Sequence, residues 1–213
     1  MRILDLFCGA GGASMGYHQA FPDADIVGVD IAPQPDYPFT FIQGDALNPP
    51  VDLDAFDFIH ASPPCQAHSV NTPTWAKDNH VDLIPATREL LRSYTFVIEN
   101  VPLAPLRPDL MLCGSMFGLQ VQRHRIFEVS LHLFFWNPPR CNHNFWVNDS
   151  PHTVTGHADG DSWDRRSKYL GFRDTEHARE LMGMPWVTKT RGITEAIPPA
   201  YTEWIGNQLT GLL

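Results

Sequence analysis

A thiol and a carboxylic acid, groups that can act as nucleophile and general acid, each stand just past an apolar run in this sequence, and two arginines stand just before another. Cys65 stands in Ser62-Pro63-Pro64-Cys65-Gln66, directly past the apolar segment Phe56–Ala61. Two prolines fix φ and remove backbone donors, so the loop is stiff and suits a nucleophile. The other cysteines have weaker claims. Cys8 lies in a glycine turn, Cys113 follows Leu-Met-Leu and reads as packed, and Cys141 belongs to an irregular stretch. Glu99 follows the apolar run Tyr94–Ile98. Burial there would raise its pKa and make it a general acid. Arg123-His124-Arg125 sets two arginines at i and i+2, on one side of an extended segment, where they can grip a phosphate or a carbonyl oxygen.

A second constellation points to a nucleoside-bearing cofactor. Asp5-Leu6-Phe7-Cys8-Gly9-Ala10-Gly11-Gly12 follows a strand pattern and opens a helix pattern. Glycines admit close backbone approach, and a helix N-terminus favours negative charge. Asp30 ends the next strand, 21 positions past Gly9, the spacing at which a carboxylate meets a ribose diol. The spacing Gly-x-Gly-Gly differs from the dinucleotide fingerprint Gly-x-Gly-x-x-Gly. On the residues alone, both a dinucleotide and S-adenosylmethionine stay open.

The elements that must position these groups alternate in kind. Strands are predicted at Arg2–Phe7, Asp25–Val29, Phe39–Gln43, Phe56–Ala61 and Tyr94–Ile98, and helices at Ala13–Ala20 and Val81–Arg92. Residues 125–136 are apolar enough for one or two strands, and helical pattern resumes at Glu176–Met182 and Tyr201–Leu213. The fold class is therefore α/β, a doubly wound, mostly parallel Rossmann-like sheet with helices on both faces. Right-handed crossovers put the loops after the strands, and so Cys65 and Glu99, on one edge. From Asn137 to about Thr175 the chain is rich in Pro, Asn, His, Asp and Gly and reads as a small irregular lobe.

Composition narrows the class further. With 43% hydrophobic and 18% charged residues the chain can bury a core. No apolar run reaches the ~18 residues of a membrane span, and no secretory signal is visible, so the expected setting is a reducing cytoplasm. The net charge of −9 argues against a uniformly basic nucleic-acid binder. Residues 121–191, however, hold 10 Lys and Arg against 8 Asp and Glu, whereas the remainder holds 5 against 16.

In order, the blocks DLFCGAGG, VD, GD, SPPCQ, ENV, QRHR, RELMGMP and IPPAYTEWIG resemble the DNA (cytosine-5)-methyltransferases over most of residues 1–127 and 176–210. The resemblance implies an S-adenosylmethionine-dependent methyltransferase fold whose catalytic domain is 1–127 plus 176–213, with 128–175 as a short target-recognition region. It implies that Phe7, Cys8, Gly9, Ala10, Gly11 and Gly12 shape the cofactor pocket. Asp30 would bind the ribose, Ile31 lie against adenine, Asp45 and Ala46 meet the adenine edge, and Pro64 line the methyl donor. Cys65 would add to carbon 6 of a flipped-out cytosine, Glu99 contact its N3, and Arg125 with Arg123 hold its O2 side. Gln66, Ser69, Arg140, Arg165, Arg166, Lys168 and Arg173 would touch nucleic acid. The implied partner is double-stranded DNA, the protein a monomer in a bacterial or phage-infected cell.

The sequence departs from the family at named places. Gln120-Val121 stands for Pro-Gln before the arginine block, Thr194-Glu195 for Gly-Asn near the last block, and His68 for a common Phe. Cys141-Asn142-His143 with His152 and His157 shows no Cys-x-x-Cys pair and no structural zinc spacing, so it reads as a surface loop and no metal is expected. Three other readings compete. The same chemistry on tRNA would suit a small recognition region. A catalytically silent cofactor- or DNA-binding homologue would tolerate the departures. A nicotinamide-dependent oxidoreductase would explain the glycine turn but give Cys65 and Glu99 no task.

Overall fold

The computed structural model describes residues 1–70, 72–131, 137–143, 154, 172–210 and 212. Among these residues seven strands form one sheet in the order β3-β2-β1-β4-β5-β7-β6. They are β1 (Arg2–Leu6), β2 (Asp25–Asp30), β3 (Thr40–Gln43), β4 (Phe58–Ala61), β5 (Phe96–Asn100), β6 (Leu110–Leu112) and β7 (Arg125–Val129). The pairs of β1 to β5 are all parallel, as predicted, and β7 runs antiparallel to both β5 and β6. Among the described residues β7 is therefore the one reversed strand of the sheet. The helices are α1 (Gly12–Ala20), α2 (Thr74–Lys77), α3 (Ile84–Leu91), α4 (Thr175–Met182), α5 (Thr190–Glu195) and α6 (Pro199–Leu209). None is long and apolar enough, among the described residues, to cross a membrane.

Strand alternation sorts the core onto two faces. Leu4, Leu6, Val27, Ile59, Phe96 and Ile98 bury against Ile84 and Leu91 of α3. Ile3, Ile26, Phe58, Val97 and Phe127 bury against Tyr17 of α1 and Tyr201, Ile205 and Leu209 of α6. Each such fully buried side chain contributes ~1.5–3 kcal/mol. A third cluster joins Ala10 of the glycine turn to Val121, Leu181, Met182, Val187 and Ile193.

Polar ties hold the rest of the frame. Arg88 of α3 donates through Nε and Nη2 to both carboxylate oxygens of Glu128 on β7, at 2.9 and 2.7 Å. Asp174 caps α4 by accepting from the His177 N–H at 2.8 Å, and Gly183, in the left-handed region at φ 67°, ends it. The strand β7 runs to Val129, so the sheet continues two residues past the boundary expected at 127, and α4 opens at Thr175, one residue before the expected return. Most of the expected recognition region lies outside the described residues.

Candidate active site

The cofactor side of the site is a turn under local strain. β1 ends at Leu6, and Phe7 follows at φ 59°, a left-handed backbone that a bulky residue adopts only when its surroundings enforce it. Gly9 (φ 49°) and Gly11 (φ 81°) continue the bend into α1. A Cβ placed on Gly9 would meet no atom within 4 Å, so space is open directly over the turn. Gly12 has the opposite constraint: its Cβ would stand 2.2 Å from the Ile197 carbonyl oxygen, so it is glycine for packing.

Asp30 connects this turn to the end of β2. Its Oδ2 accepts the Gly9 N–H at 3.0 Å and its Oδ1 the Ala32 N–H at 2.9 Å. A carboxylate has about four acceptor sites, so lone pairs remain for a diol. Ile31 beside it is 73% exposed, an apolar surface with nothing covering it. Asp45 is exposed and its Oδ1 accepts the Leu47 N–H at 2.9 Å. Pro64 is exposed next to Cys65. Cys8, Ala10 and Ala46 are buried. Trp186 Nε1 donates to the Ala10 carbonyl at 3.0 Å, which brings the C-terminal segment onto the turn. Open space over Gly9, acceptor capacity on Asp30 and an exposed apolar face on Ile31 fit the nucleoside part of S-adenosylmethionine.

Deeper in the turn, Asp5 is fully buried and accepts from Ser14 Oγ. Burial pushes its pKa up to about 7, and the nearby Asp30 charge adds to that. Burial also pushes the Cys8 thiol far above its usual range, which leaves it inert.

The reactive side is built at the strand ends next door. β4 delivers Ser62, whose N–H donates to the Leu6 carbonyl at 3.1 Å. Asn100, the last residue of β5, donates from Nδ2 to the Pro63 carbonyl at 2.8 Å and so ties the proline loop to the neighbouring strand. The Cys65 carbonyl accepts from the His68 and Ser69 N–H groups at 3.0 and 2.8 Å, turning the chain right after the thiol. Cys65 itself is only partly buried.

Glu99 is 6% exposed on β5 and receives Arg125 Nε at 2.9 Å from β7. Burial raises the pKa of this carboxyl, while Arg125 and a hydrogen bond from Ser62 pull the other way. The Cys65 thiol is likewise raised by burial, opposed by the Arg125 and Arg123 charges and reinforced by Glu99. Cys65 thus stands on the loop after β4, Glu99 on the paired strand β5, and Arg125, ion-paired with Glu99, on β7.

The two arginines divide their work differently than i, i+2 spacing suggested. Arg125 faces Glu99. Arg123 is 4% exposed and donates from Nη1 to the Val154 carbonyl at 2.6 Å and from Nη2 to the Thr194 carbonyl at 2.8 Å. These two carbonyls fix Nη1 and Nη2 and make the side chain a strut, while its buried Nε has no hydrogen-bond partner among the described residues. Arg123 is thus held between two backbone carbonyls, whereas Arg125 faces Glu99.

The family departures fall on structural positions. Val121 is fully buried in the third core cluster, Thr194 contributes its carbonyl to Arg123, and exposed Glu195 pairs with Arg191 at 2.9 Å. His68 Nε2 lies 3.2 Å from Asp82 Oδ1.

Of the expected nucleic-acid contacts, Gln66 and Ser69 follow Cys65, while Arg140 and Arg173 are exposed. Arg165, Arg166 and Lys168 lie outside the described residues. Not foreseen were Val70 (77% exposed), Trp75 (81%) and Val81 (74%), three apolar side chains presented on the stretch after Cys65. Also not foreseen was the convergence of Cys113, His124, Cys141 and His143. His152 and His157 lie outside the described residues.

An open, mostly parallel sheet with one reversed strand, a strained glycine turn and an acid closing β2 define the S-adenosylmethionine-dependent methyltransferase fold. Residues 1–104 match the family described as C-5 cytosine-specific DNA methylase. The N-terminal part of the chain is thus similar to the C-5 cytosine methyltransferases. Among solved structures it is similar to the Entamoeba histolytica methyltransferase EhMeth, with 10% identity, 100% of this chain and 99% of that chain covered, and a TM-score of 0.68. It is also similar to a triple mutant of Spodoptera frugiperda DNMT2, with 14% identity, 99% and 98% covered, and a TM-score of 0.58. At such identities the likeness is one of fold. No curated protein matches the sequence.

Proposed function

We propose that the protein methylates carbon 5 of cytosine in double-stranded DNA through a covalent adduct on Cys65. The observation that carries this is the meeting of Cys65, Glu99 and Arg125 at one strand edge beside the glycine turn. Asp30, Ile31 and the backbone around Gly9 would hold S-adenosylmethionine, which when bound supplies a methyl group on a sulfonium.

Cys65 adds as thiolate to carbon 6 of the pyrimidine, forming the S–C6 bond. Glu99, whose pKa burial raises, donates a proton to N3, where the electron pair displaced by the addition arrives. Arg125 holds O2 and keeps Glu99 in place. Carbon 5, now enamine-like, would bond to the methyl carbon of bound S-adenosylmethionine, whose S–CH3 bond breaks to leave the neutral thioether S-adenosylhomocysteine. Loss of the carbon 5 proton and expulsion of the Cys65 thiolate restore the ring. The cytosine must leave the base stack to reach Cys65. Val70, Trp75 and Val81 offer apolar surface that could contact the opened stack. Arg140 and Arg173 supply exposed cations for phosphates.

Incubation with labelled S-adenosylmethionine and either duplex DNA or tRNA tests the reading. Label is expected in duplex DNA, with a covalent complex on DNA containing 5-fluorocytosine that Cys65→Ser abolishes. Label in tRNA alone overturns the DNA substrate. No label and no adduct on either overturns the enzyme.

A further inference from the structure

Two thiols and two imidazoles from separate parts of the chain converge on one point outside the catalytic site. Cys113 directly follows β6, His124 sits between Arg123 and Arg125, and Cys141 and His143 lie on the segment after β7. One ligand atom from each, two Sγ and two imidazole nitrogens, falls within 4.8 Å of all the others. We propose that Cys113, His124, Cys141 and His143 form a structural zinc site, with thiolates of the two cysteines and Nε2 of the two histidines as ligands.

Hydrogen bonding alone serves this cluster poorly. Cys141 Sγ stands 2.6 Å from His143 Nε2 and 3.4 Å from His124 Nε2, and His143 Nε2 also stands 3.6 Å from Cys113 Sγ. An imidazole nitrogen offers one donor or one acceptor site, so His143 Nε2 cannot answer both sulfurs. A single cation among the four atoms answers all of them. With Zn–S ~2.3 Å and Zn–N ~2.0–2.1 Å, neighbouring ligand atoms of a tetrahedral site lie roughly 3.4–3.8 Å apart. The 3.4 and 3.6 Å separations match that edge, and Cys141 and His143 would part by about 1 Å on binding. Two thiolates and two neutral imidazoles balance the charge of the ion. Four protein ligands leave no open position, which marks a structural site and not a catalytic one.

An outer shell is present as well. Ser115 Oγ lies 3.5 Å from Cys113 Sγ, as donor, and 3.3 Å from Cys141 Sγ, and it accepts the Asn142 N–H at 3.3 Å. The site staples the segment after β7 onto the end of β6 and onto the residue between the two arginines. It stands whether or not the methyl-transfer reading holds.

The test is metal content of the full-length protein purified without chelator, followed by exchange of the metal for Co²⁺. Expected are one zinc per chain and the intense visible bands of a tetrahedral Co²⁺ with thiolate ligands. Cys141→Ser and His143→Ala, on partly exposed residues, should each lose the zinc and weaken those bands, with circular dichroism showing the sheet retained. Wild-type protein with reduced thiols, no zinc and no tetrahedral Co²⁺ spectrum overturns the site. So does full zinc occupancy in the Cys141→Ser/His143→Ala double variant, or a Cys113–Cys141 disulfide in protein quenched at lysis. Should the variants not fold, chelator titration of the wild type decides: release of one zinc with a lowered melting temperature supports the site, and an unchanged melting temperature with nothing released overturns it.

Discussion

Arg125 Nε donates to Glu99 Oε1 across the β5–β7 pair at 2.9 Å, and the Cys65 sulfur lies in the field of both. The two partners act on the thiol with opposite signs: the guanidinium favours the thiolate and the carboxylate opposes it. Glu99→Gln should therefore speed alkylation of Cys65 by iodoacetamide near neutral pH by ~3- to 10-fold, and Arg125→Ala should slow it by a similar factor. Both should cut methyl transfer by at least ~100-fold, because each removes a group facing the ring. Competitive alkylation read by mass spectrometry separates the two signs. Equal alkylation rates in all three proteins would mean that the pair does not tune the sulfur.

Asp5 gives a pH dependence of definite sign. Its pKa is about 7 in the folded protein against 3.8 for a solvated aspartate, because burial penalises the charge. Between those values the folded chain keeps a proton that the unfolded chain has released. Stability from this residue is thus full at low pH, falls as pH rises toward 7 and stays reduced above it, by on the order of 4 kcal/mol. Asp5→Asn keeps an acceptor for Ser14 Oγ and removes the charge. Urea unfolding of the variant should show a flatter profile between about pH 5 and 8 and a higher midpoint at the alkaline end. Parallel profiles for the two proteins would contradict the burial cost.

Much of this site was legible in the sequence because its signals are local. Gly9 and Asp30 were joined by a 21-residue spacing, and their hydrogen bond spans that spacing. Alternating elements placed Cys65 and Glu99 on one edge, although Glu99 proved to lie inside β5 and not after it. The features that escaped are non-local or short. β6 has three residues and α5 has six, too few for a period to register. Arg123 reads as a base-binding partner of Arg125 until its acceptors, 31 and 71 positions away, are seen. Cys113 and His124 were never associated with Cys141 and His143, because no fixed spacing connects ligands brought together by a sheet.

Asn100 tests how far the catalytic loop depends on its neighbour strand. Its Nδ2 hydrogen bond to the Pro63 carbonyl is buried, and its Oδ1 accepts the Val101 N–H at 2.9 Å. Asn100→Ala leaves both backbone groups without their partner, at a cost of ~1–3 kcal/mol. A loop that drifts by about 1 Å misplaces the thiol and can lower turnover ~100-fold. The melting temperature should drop while cofactor affinity, measured by calorimetry, changes little, since the glycine turn is untouched. Unchanged turnover in a folded Asn100→Ala protein would show that the prolines alone fix the loop.

The division between the two arginines is open to a paired comparison. Arg123 is a strut between two backbone carbonyls, and Arg125 faces Glu99 and the thiol. Lysine keeps the positive charge but lacks the planar fork, so Arg123→Lys cannot reach both the Val154 and the Thr194 oxygens. One buried carbonyl is then left unsatisfied, and stability should fall by about 1–3 kcal/mol. The residual activity of the folded fraction should stay within roughly tenfold of wild type, because the charge near Cys65 survives. Arg125→Lys should do the reverse: a melting temperature close to wild type, but a loss of turnover of ~100-fold as the geometry at Glu99 and the base is lost. Measuring unfolding and single-turnover methylation on both proteins resolves the pattern. If Arg123→Lys lost turnover as steeply as Arg125→Lys without losing stability, Arg123 would be a base contact after all and the strut assignment would fall.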